Sequence, residues 1–384
     1  NKKILIRVDY NVPIESGKIL SDFRIQSSLE TIIYCLKNNA SVIIMSHLGR
    51  PKGIDNTLSL KPILYYLKKT LNKKIYFSND PISEDAIKQS NNLQPGEIHL
   101  LENLRFYKDE TANSRNFAKI LARHADIYIN DAFGTAHRAH ASNSAILEFF
   151  KDKGIGFLLE KEICLLTETS NINNCLLLGG AKISTKLGMI KYFLDKSSLI
   201  IIGGGMAFTF LKAKGYNIGK SLLEEHMLSE ASAILESAKT QNIEILLPID
   251  VNCSLEFSNE SKNRIKNISK IESNEIGLDI GPKTIKLFTE KLHQENSIIW
   301  NGPMGAFELN KFSIGTEMIA NCISKLTKEQ NVKSIVGGGD TASAVINMNL
   351  EDNFTHVSTG GGASLRLLSG QKLELIESWK QYEK

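Results

Sequence analysis

Ser334-Ile-Val-Gly-Gly-Gly-Asp-Thr-Ala-Ser-Ala344 is the stretch on which the fold turns. Ile335 and Val336 make a short apolar run of the kind that forms a buried strand. Three glycines follow, and Asp340 and Thr341 then occupy the places expected of a helix N-cap and first turn. Glycine lets backbone amides approach a ligand with no Cβ in the way, and free amides at a helix N-terminus attract anions. A carboxylate beside bound phosphates can also hold Mg²⁺, which takes one or two carboxylates together with phosphate oxygens. The stretch therefore reads as strand, turn and helix around a phosphate site, with Asp340 as the metal ligand.

Two other nucleotide patterns compete for attention. Gly337-x-Gly339-x-x-Ala342 fits the dinucleotide fingerprint, but that fingerprint wants an acidic residue at the end of the next strand. Here the next strand, 355–359, runs into another glycine triplet, Gly360 to Gly362. Gly215-Tyr-Asn-Ile-Gly-Lys-Ser221 resembles a P-loop but is one residue short, and it follows a helix-like segment rather than a strand.

A chain of 384 residues favours two domains. With 42% hydrophobic and 23% charged residues, its composition is that of a soluble globular protein. A net charge of +4 is too mild for a nucleic-acid partner. No signal peptide or long apolar span is visible, which argues against secretion and membrane insertion. The five cysteines are odd in number and far apart, so a reducing, cytoplasmic setting fits better than a disulfide framework or structural zinc. Because the sequence starts at Asn1 rather than Met, a few residues are expected before the first motif.

The first half alternates strand-like and helix-like stretches, which means crossover connections and a parallel sheet. Apolar runs at 4–8, 42–45, 98–101 and 127–129 read as strands. A helix capped by Ser21-Asp22 is expected to run to Leu36, and another from 60 to 71. Polar residues gather past the strand ends, where open α/β sheets bind ligands. They are Arg7, Asp9, Asn11, Arg24, His47, Arg50, Arg105, His137 and Arg138. A lone arginine is most simply a solvated surface residue. Several arginines and histidines on converging loops instead suit a small polyanion, since guanidinium grips carboxylate and phosphate bidentately. His137 and His140 with Asp131 hint at a metal but lack a third clear ligand.

An amphipathic helix over 156–169 is expected to join the halves stiffly, since no flexible tether is visible. The second half repeats the alternation with small residues at the strand ends: Gly179-Gly-Ala-Lys182, Gly203 to Gly205, Asn301-Gly-Pro303 and the two later triplets. Such turns leave room for phosphates and a flat base. Lys182 and Lys186, four apart at an expected helix start, can place two cations on one face, although lysines so spaced commonly just face solvent.

Taken together, these residues resemble phosphoglycerate kinase. The resemblance rests on Arg7-Val-Asp-Tyr-Asn-Val-Pro13, Ser46-His-Leu-Gly-Arg-Pro51, Glu102-Asn-Leu-Arg-Phe106 and Asn130-Asp-Ala-Phe-Gly-Thr-Ala-His-Arg-Ala-His140 in the first half. Gly179 to Lys182, Trp300 to Pro303, Gly337 to Thr341 and Ser358 to Gly362 carry it through the second. It implies two Rossmann-like lobes, each a parallel sheet flanked by helices. Residues 1–155 would bind phosphoglycerate, 156–169 would join the lobes, and 170–369 would bind nucleotide. The tail 370–384 would pack back on the first lobe.

The reaction so implied is reversible transfer between MgATP and 3-phosphoglycerate in a monomer that closes about a hinge. Arg7, Asp9, Asn11, Arg24, His47, Arg50, Arg105 and Arg138 would bind phosphoglycerate, with His137 a near neighbour. Lys182 and Lys186 would meet the nucleotide phosphates and the group in flight, as would Gly338 and Gly361. Gly203, Gly204 and Gly205 would border the adenine pocket, with Asn301 and Pro303 at the nucleotide and Glu308 on the ribose. Gly337, Gly339 and Thr341 would lie at the phosphates, and Asp340 would hold Mg²⁺. Two positions depart from the family pattern: Tyr10 replaces the usual Phe, and the tail lacks the common Pro-Gly. The chemistry agrees with the resemblance, because phosphoryl transfer needs positioning and charge stabilisation rather than an activated nucleophile.

Overall fold

Strands covered on both faces are written as unbroken apolar runs, and the chain has such runs in each half. The computed structural model describes residues 2–170 and 174–382. The chain divides into two units, Asn1–Cys164 with Lys372–Lys384, and Leu165–Gln371.

The first unit is built on six strands: β1 (Lys3–Val8), β2 (Ser41–Met45), β3 (Ile75–Ser78), β4 (Ile98–Leu101), β5 (Ile127–Asp131) and β6 (Asp152–Ile155). They are arranged β3-β4-β2-β1-β5-β6, all parallel. Leu5, Ile6, Val42, Ile43, Ile44 and Leu100 are fully enclosed. Each such side chain contributes about 1.5–3 kcal/mol of burial. Helix Phe23–Lys37 lays Ile25, Leu29 and Ile32 on this core, the spacing of one helical face. Its start differs from the sequence expectation in one respect. Asp22 is the N-cap residue but makes no capping bond, because its carboxylate accepts the Tyr66 hydroxyl instead. Helix Glu374–Gln381 belongs to this unit. The Leu375 amide donates to the Ala136 carbonyl at 2.9 Å, and Ser378 Oγ meets Ser144 Oγ at 3.0 Å.

The second unit has β7 (Asn174–Leu178), β8 (Ser197–Ile202), β9 (Glu244–Leu246), β10 (Ser297–Asn301), β11 (Lys333–Gly337) and β12 (His356–Val357). Their order is β9-β8-β7-β10-β11-β12, again all parallel. Connections run outward from β7 in one direction and from β10 in the other. The ends of β7 and β10 therefore form a switch point, where such sheets open a crevice. An antiparallel sheet of Asp250–Ser254, Asn263–Asn267 and Ile276–Ile280 is added to this unit, and the sequence reading did not anticipate it. β12 is two residues long, shorter than the strand expected over 355–359. Helix Phe157–Ser170 spans the boundary between the units.

Candidate functional site

In the first unit the ends of β1, β2, β4 and β5 carry the basic residues into loops on one edge of the sheet. Asp9 sits just past β1 and is nearly enclosed. Arg24 Nη1 lies 3.5 Å from Asp9 Oδ2 and donates to the Asn11 carbonyl at 2.8 Å. Asn11 Oδ1 accepts the Gly49 amide at 2.8 Å, tying the β1 loop to the β2 loop. Arg105 Nη1 donates to the Gly49 carbonyl at 2.6 Å, while its Nε is buried with no hydrogen-bond acceptor. Burial, with Arg138 and Arg7 nearby, lowers the Arg105 pKa to about 10. Arg138, half-buried, is lowered by burial, with Asp9 opposing and Arg50, Arg7 and Arg24 adding to the shift. Its Nε donates to His137 Nε2 at 3.1 Å. Arg50 is exposed. Such crowding of like charge is unfavourable without an anion.

Arg7 is placed differently from the others. Its side chain is 0% exposed, and its Nη2 lies 3.1 Å from His47 Nδ1. The cause is the register of β1, which turns Arg7 toward Ser142 and Glu110 inside the unit. Asp131 is likewise no partner for His137 and His140. Its Oδ1 accepts the Leu159 amide at 3.0 Å at the start of helix Phe157–Ser170.

In the second unit a cavity of about 710 Å³ opens beside the switch point. Gly180, Gly205, Pro303, Glu308 and Asp340 line it, with Leu222, Phe257 and Leu278 supplying apolar wall. That mixture suits a flat base joined to a charged tail. The glycines past β7 and β8 are needed for packing. Gly204 has φ +63°, and a Cβ there would stand 2.5 Å from the Gly180 amide nitrogen. Of the triplet 203–205, only Gly205 reaches the cavity wall.

The two lysines do not share a helix face, contrary to the spacing argument. Ile183 is drawn into the core, and Ser184 is held by Glu224 through its amide at 3.1 Å and its hydroxyl at 2.6 Å. The segment is therefore an irregular turn, and the helix begins only at Leu187. Lys182 is left exposed while Lys186 is buried and donates to Asn301 Oδ1. Burial lowers the Lys186 pKa to about 8, with the Asp340 carboxylate opposing.

Helix Gly339–Asn347 has Gly338 as its N-cap at φ +91°, so Asp340 falls in the first turn rather than at the cap. A Cβ at Gly338 would stand 3.1 Å from Asn301 Nδ2, a buried donor with no hydrogen-bond partner. Thr341 is enclosed, and its Oγ1 accepts the Gly302 amide at 2.6 Å. It braces the β10 loop instead of facing the cavity. Gly361, at φ +49°, precedes the helix Gly362–Leu368. Asp340 is exposed at the cavity wall, and no cluster of three metal-ligating side chains occurs among the described residues. One free carboxylate beside a phosphate-sized space fits an ion that brings most of its ligands with it.

Several participants left no mark in the sequence reading. Glu110, Ser142 and Glu224 sit far in sequence from the residues they hold, and no motif announces such distant partners.

The phosphoglycerate kinase family model matches residues 1–371. A phosphoglycerate kinase of Prochlorococcus marinus is 47% identical over 97% of this chain and 94% of its own length. A cytosolic phosphoglycerate kinase of Triticum aestivum is 45% identical over the same shares. Among solved structures, that of the Coxiella burnetii phosphoglycerate kinase superposes with a TM-score of 0.85 at 40% identity, covering 100% of this chain and 97% of that one. The Pyrococcus horikoshii phosphoglycerate kinase gives 0.86 at 28% identity, covering 99% and 96%. The family match and the relatives define a phosphotransferase with a carboxyl group as acceptor. The chain belongs to the phosphoglycerate kinase family. Its activity is phosphoryl transfer between ATP and 3-phosphoglycerate, a step of glycolysis.

Proposed function

We propose that each unit holds one substrate. The basic edge of the first unit takes 3-phosphoglycerate through Arg24, His47, Arg50, Arg105 and Arg138, with Asp9 and Asn11 orienting the arginines and His137 bordering the site. Arg7 supports them from below. The cavity of the second unit takes the nucleotide, its base against the apolar wall and its ribose toward Glu308. Its phosphates lie toward Lys182, Lys186, Gly338 and Gly361, where Gly337 and Gly339 keep the approach open. The carrying observation is the crowding of Arg105 and Arg138 with Arg7, Arg24 and Arg50 around one point, which calls for a bound anion.

Asp340 would hold Mg²⁺ on the nucleotide, where the ion offsets phosphate charge. The substrate carboxylate is already ionised and attacks the terminal phosphorus in line, while the bond from that phosphorus to the bridging oxygen breaks and ADP leaves. Arg24, Lys182 and Lys186 then stabilise charge spreading over the moving group. Because the reactants bind different units, transfer requires closure that brings reacting atoms to roughly 3–3.5 Å. We further propose a monomer, since one chain carries both sites, working in the cytosol, where five free cysteines are at home.

The test is ADP release by the purified protein with and without 3-phosphoglycerate, at saturating Mg²⁺ and ATP. Turnover is expected only with phosphoglycerate. Arg105→Ala should weaken phosphoglycerate binding and leave nucleotide binding intact. ATP hydrolysis indifferent to phosphoglycerate would overturn the proposal.

A further inference from the structure

Beneath the basic cluster runs a chain of contacts ending on a fully buried carboxylate. Arg7 Nε donates to Ser142 Oγ at 2.8 Å, and that hydroxyl donates its own proton to Glu110 Oε1 at 2.6 Å. The Ser142 amide donates to Glu110 Oε2 at 3.0 Å. Arg7 and Glu110 are both 0% exposed, with Nη2 and Oε1 4.0 Å apart. A guanidinium so buried is costly unless a counter-charge and hydrogen bonds accompany it. Glu110 and Ser142 supply both.

The other end of Arg7 reaches the site. Its Nη2 lies 3.1 Å from His47 Nδ1. Guanidinium nitrogens only donate, so Nδ1 must be the acceptor and the imidazole proton must sit on Nε2. Asp9 Oδ1 is the rival partner, but at 3.7 Å from Nδ1 it is beyond hydrogen-bond range. It already accepts the Asn11 amide at 3.2 Å. Arg105, Arg138 and His140 complete the charged and titratable surroundings of His47. Burial first, then the Arg7, Arg105 and Arg138 cations and the neighbouring His140, hold its pKa well below the ordinary value.

We propose that Glu110 and Ser142 are positioning residues that act through Arg7 to fix the tautomer of His47. His47 then meets phosphoglycerate as a neutral Nε2–H donor. The opposite tautomer would turn a lone pair toward an anionic oxygen. The proposal rests on the reading that His47 touches phosphoglycerate, and its test separates the two claims.

The experiment is nitrogen-15 NMR of histidine side chains in the full-length protein at neutral pH, with phosphoglycerate kinetics alongside. In the wild type, His47 should show a protonated Nε2 and a bare Nδ1. Glu110→Gln and Ser142→Ala should mix the tautomers. Each should also raise KM for phosphoglycerate roughly tenfold, as expected for loss of a charge-assisted hydrogen bond, with little change in kcat. Ser142→Ala removes a single hydroxyl and keeps the amide contact, so it carries the test if Glu110→Gln does not fold. A protonated Nδ1 in the wild type, or an unmoved tautomer in Ser142→Ala, overturns the relay. A tautomer that shifts while KM stays put supports the relay and overturns the contact between His47 and phosphoglycerate.

Discussion

Arg24 Nη1 stands 3.5 Å from Asp9 Oδ2 and donates to the Asn11 carbonyl at 2.8 Å, with a quarter of its side chain (26%) still exposed. The guanidinium is thus aimed before any ligand arrives. If it serves charge that develops mainly in the transition state, Arg24→Ala lowers kcat much more than it raises KM for phosphoglycerate. By analogy with arginine fingers the loss is roughly 10³-fold, about 4 kcal/mol. Steady-state kinetics decides the matter. A near-normal kcat with only a raised KM would make Arg24 a ground-state contact.

Lys186 sets a pH dependence. Its ammonium is buried against Asn301, and burial brings its pKa to about 8. A lysine is cationic below its pKa, so the charge that meets phosphate is present at neutral pH and lost as pH rises through about 8. Wild-type kcat/KM for nucleotide should therefore fall on the alkaline side. Lys186→Met should be slower by roughly 10²-fold and lack that limb, as expected on removing one preorganised charge. An alkaline limb that persists in Lys186→Met belongs to another group.

Both parallel sheets were legible because strands such as 42–45 and 176–178 are apolar without alternation, the pattern of strands covered on both faces. The antiparallel addition was not. Its strand Asn263–Asn267 is mostly exposed and polar, so nothing in it reads as buried. The glycine turns at the strand ends were legible as turns, whereas the apolar wall of Leu222, Phe257 and Leu278 comes from three distant segments and carries no motif. The lysine spacing misled because a tertiary bond, Glu224 to Ser184, overrode the local helical pattern. Arg7 points inward for a reason of the same kind. Its motif marks importance, but only the register of β1 decides which way it points.

Asp340 is exposed in the first turn of helix Gly339–Asn347, at the cavity wall. Asp340→Asn should leave the fold unchanged, since the side chain is exposed and its influence inward is confined to the charge of Lys186. An amide is a poorer, uncharged Mg²⁺ ligand, so the variant should need more Mg²⁺ for half-maximal rate. Mg²⁺ titration of the kinase rate, with circular dichroism as the control for folding, checks this. An unchanged titration would take Asp340 out of the metal's coordination.

The last prediction concerns acid and a buried histidine pair in the first unit. His124 Nε2 lies 2.8 Å from the Pro81 carbonyl, so that nitrogen carries a proton and Nδ1 is an acceptor. Ser90 Oγ, 2.6 Å away, must then donate to it. The same oxygen accepts His99 Nδ1–H at 2.8 Å, and His99 Nε2 accepts the Ser78 hydroxyl at 2.8 Å. Every proton is assigned, and both rings are neutral. Burial, aided by His124, lowers the His99 pKa to about 3, and burial lowers that of His124. The ordinary histidine value is about 6.5, so the network contributes fully above it. As pH falls from about 6.5 toward 3, the unfolded chain takes a proton that the folded one refuses. Stability is then lost at up to about 1.4 kcal/mol per pH unit for one histidine. Asp131, raised to about 6 mainly by burial, acts in the opposite sense in the same unit. A variant must therefore be compared with the wild type at each pH. Hydrogen-exchange protection of amides in Ile98–Leu101 reports opening of this unit. His99→Gln should lower protection at pH 7 and show a shallower loss between pH 7 and 5. Parallel losses in the two proteins would show that His99 does not govern the acid response.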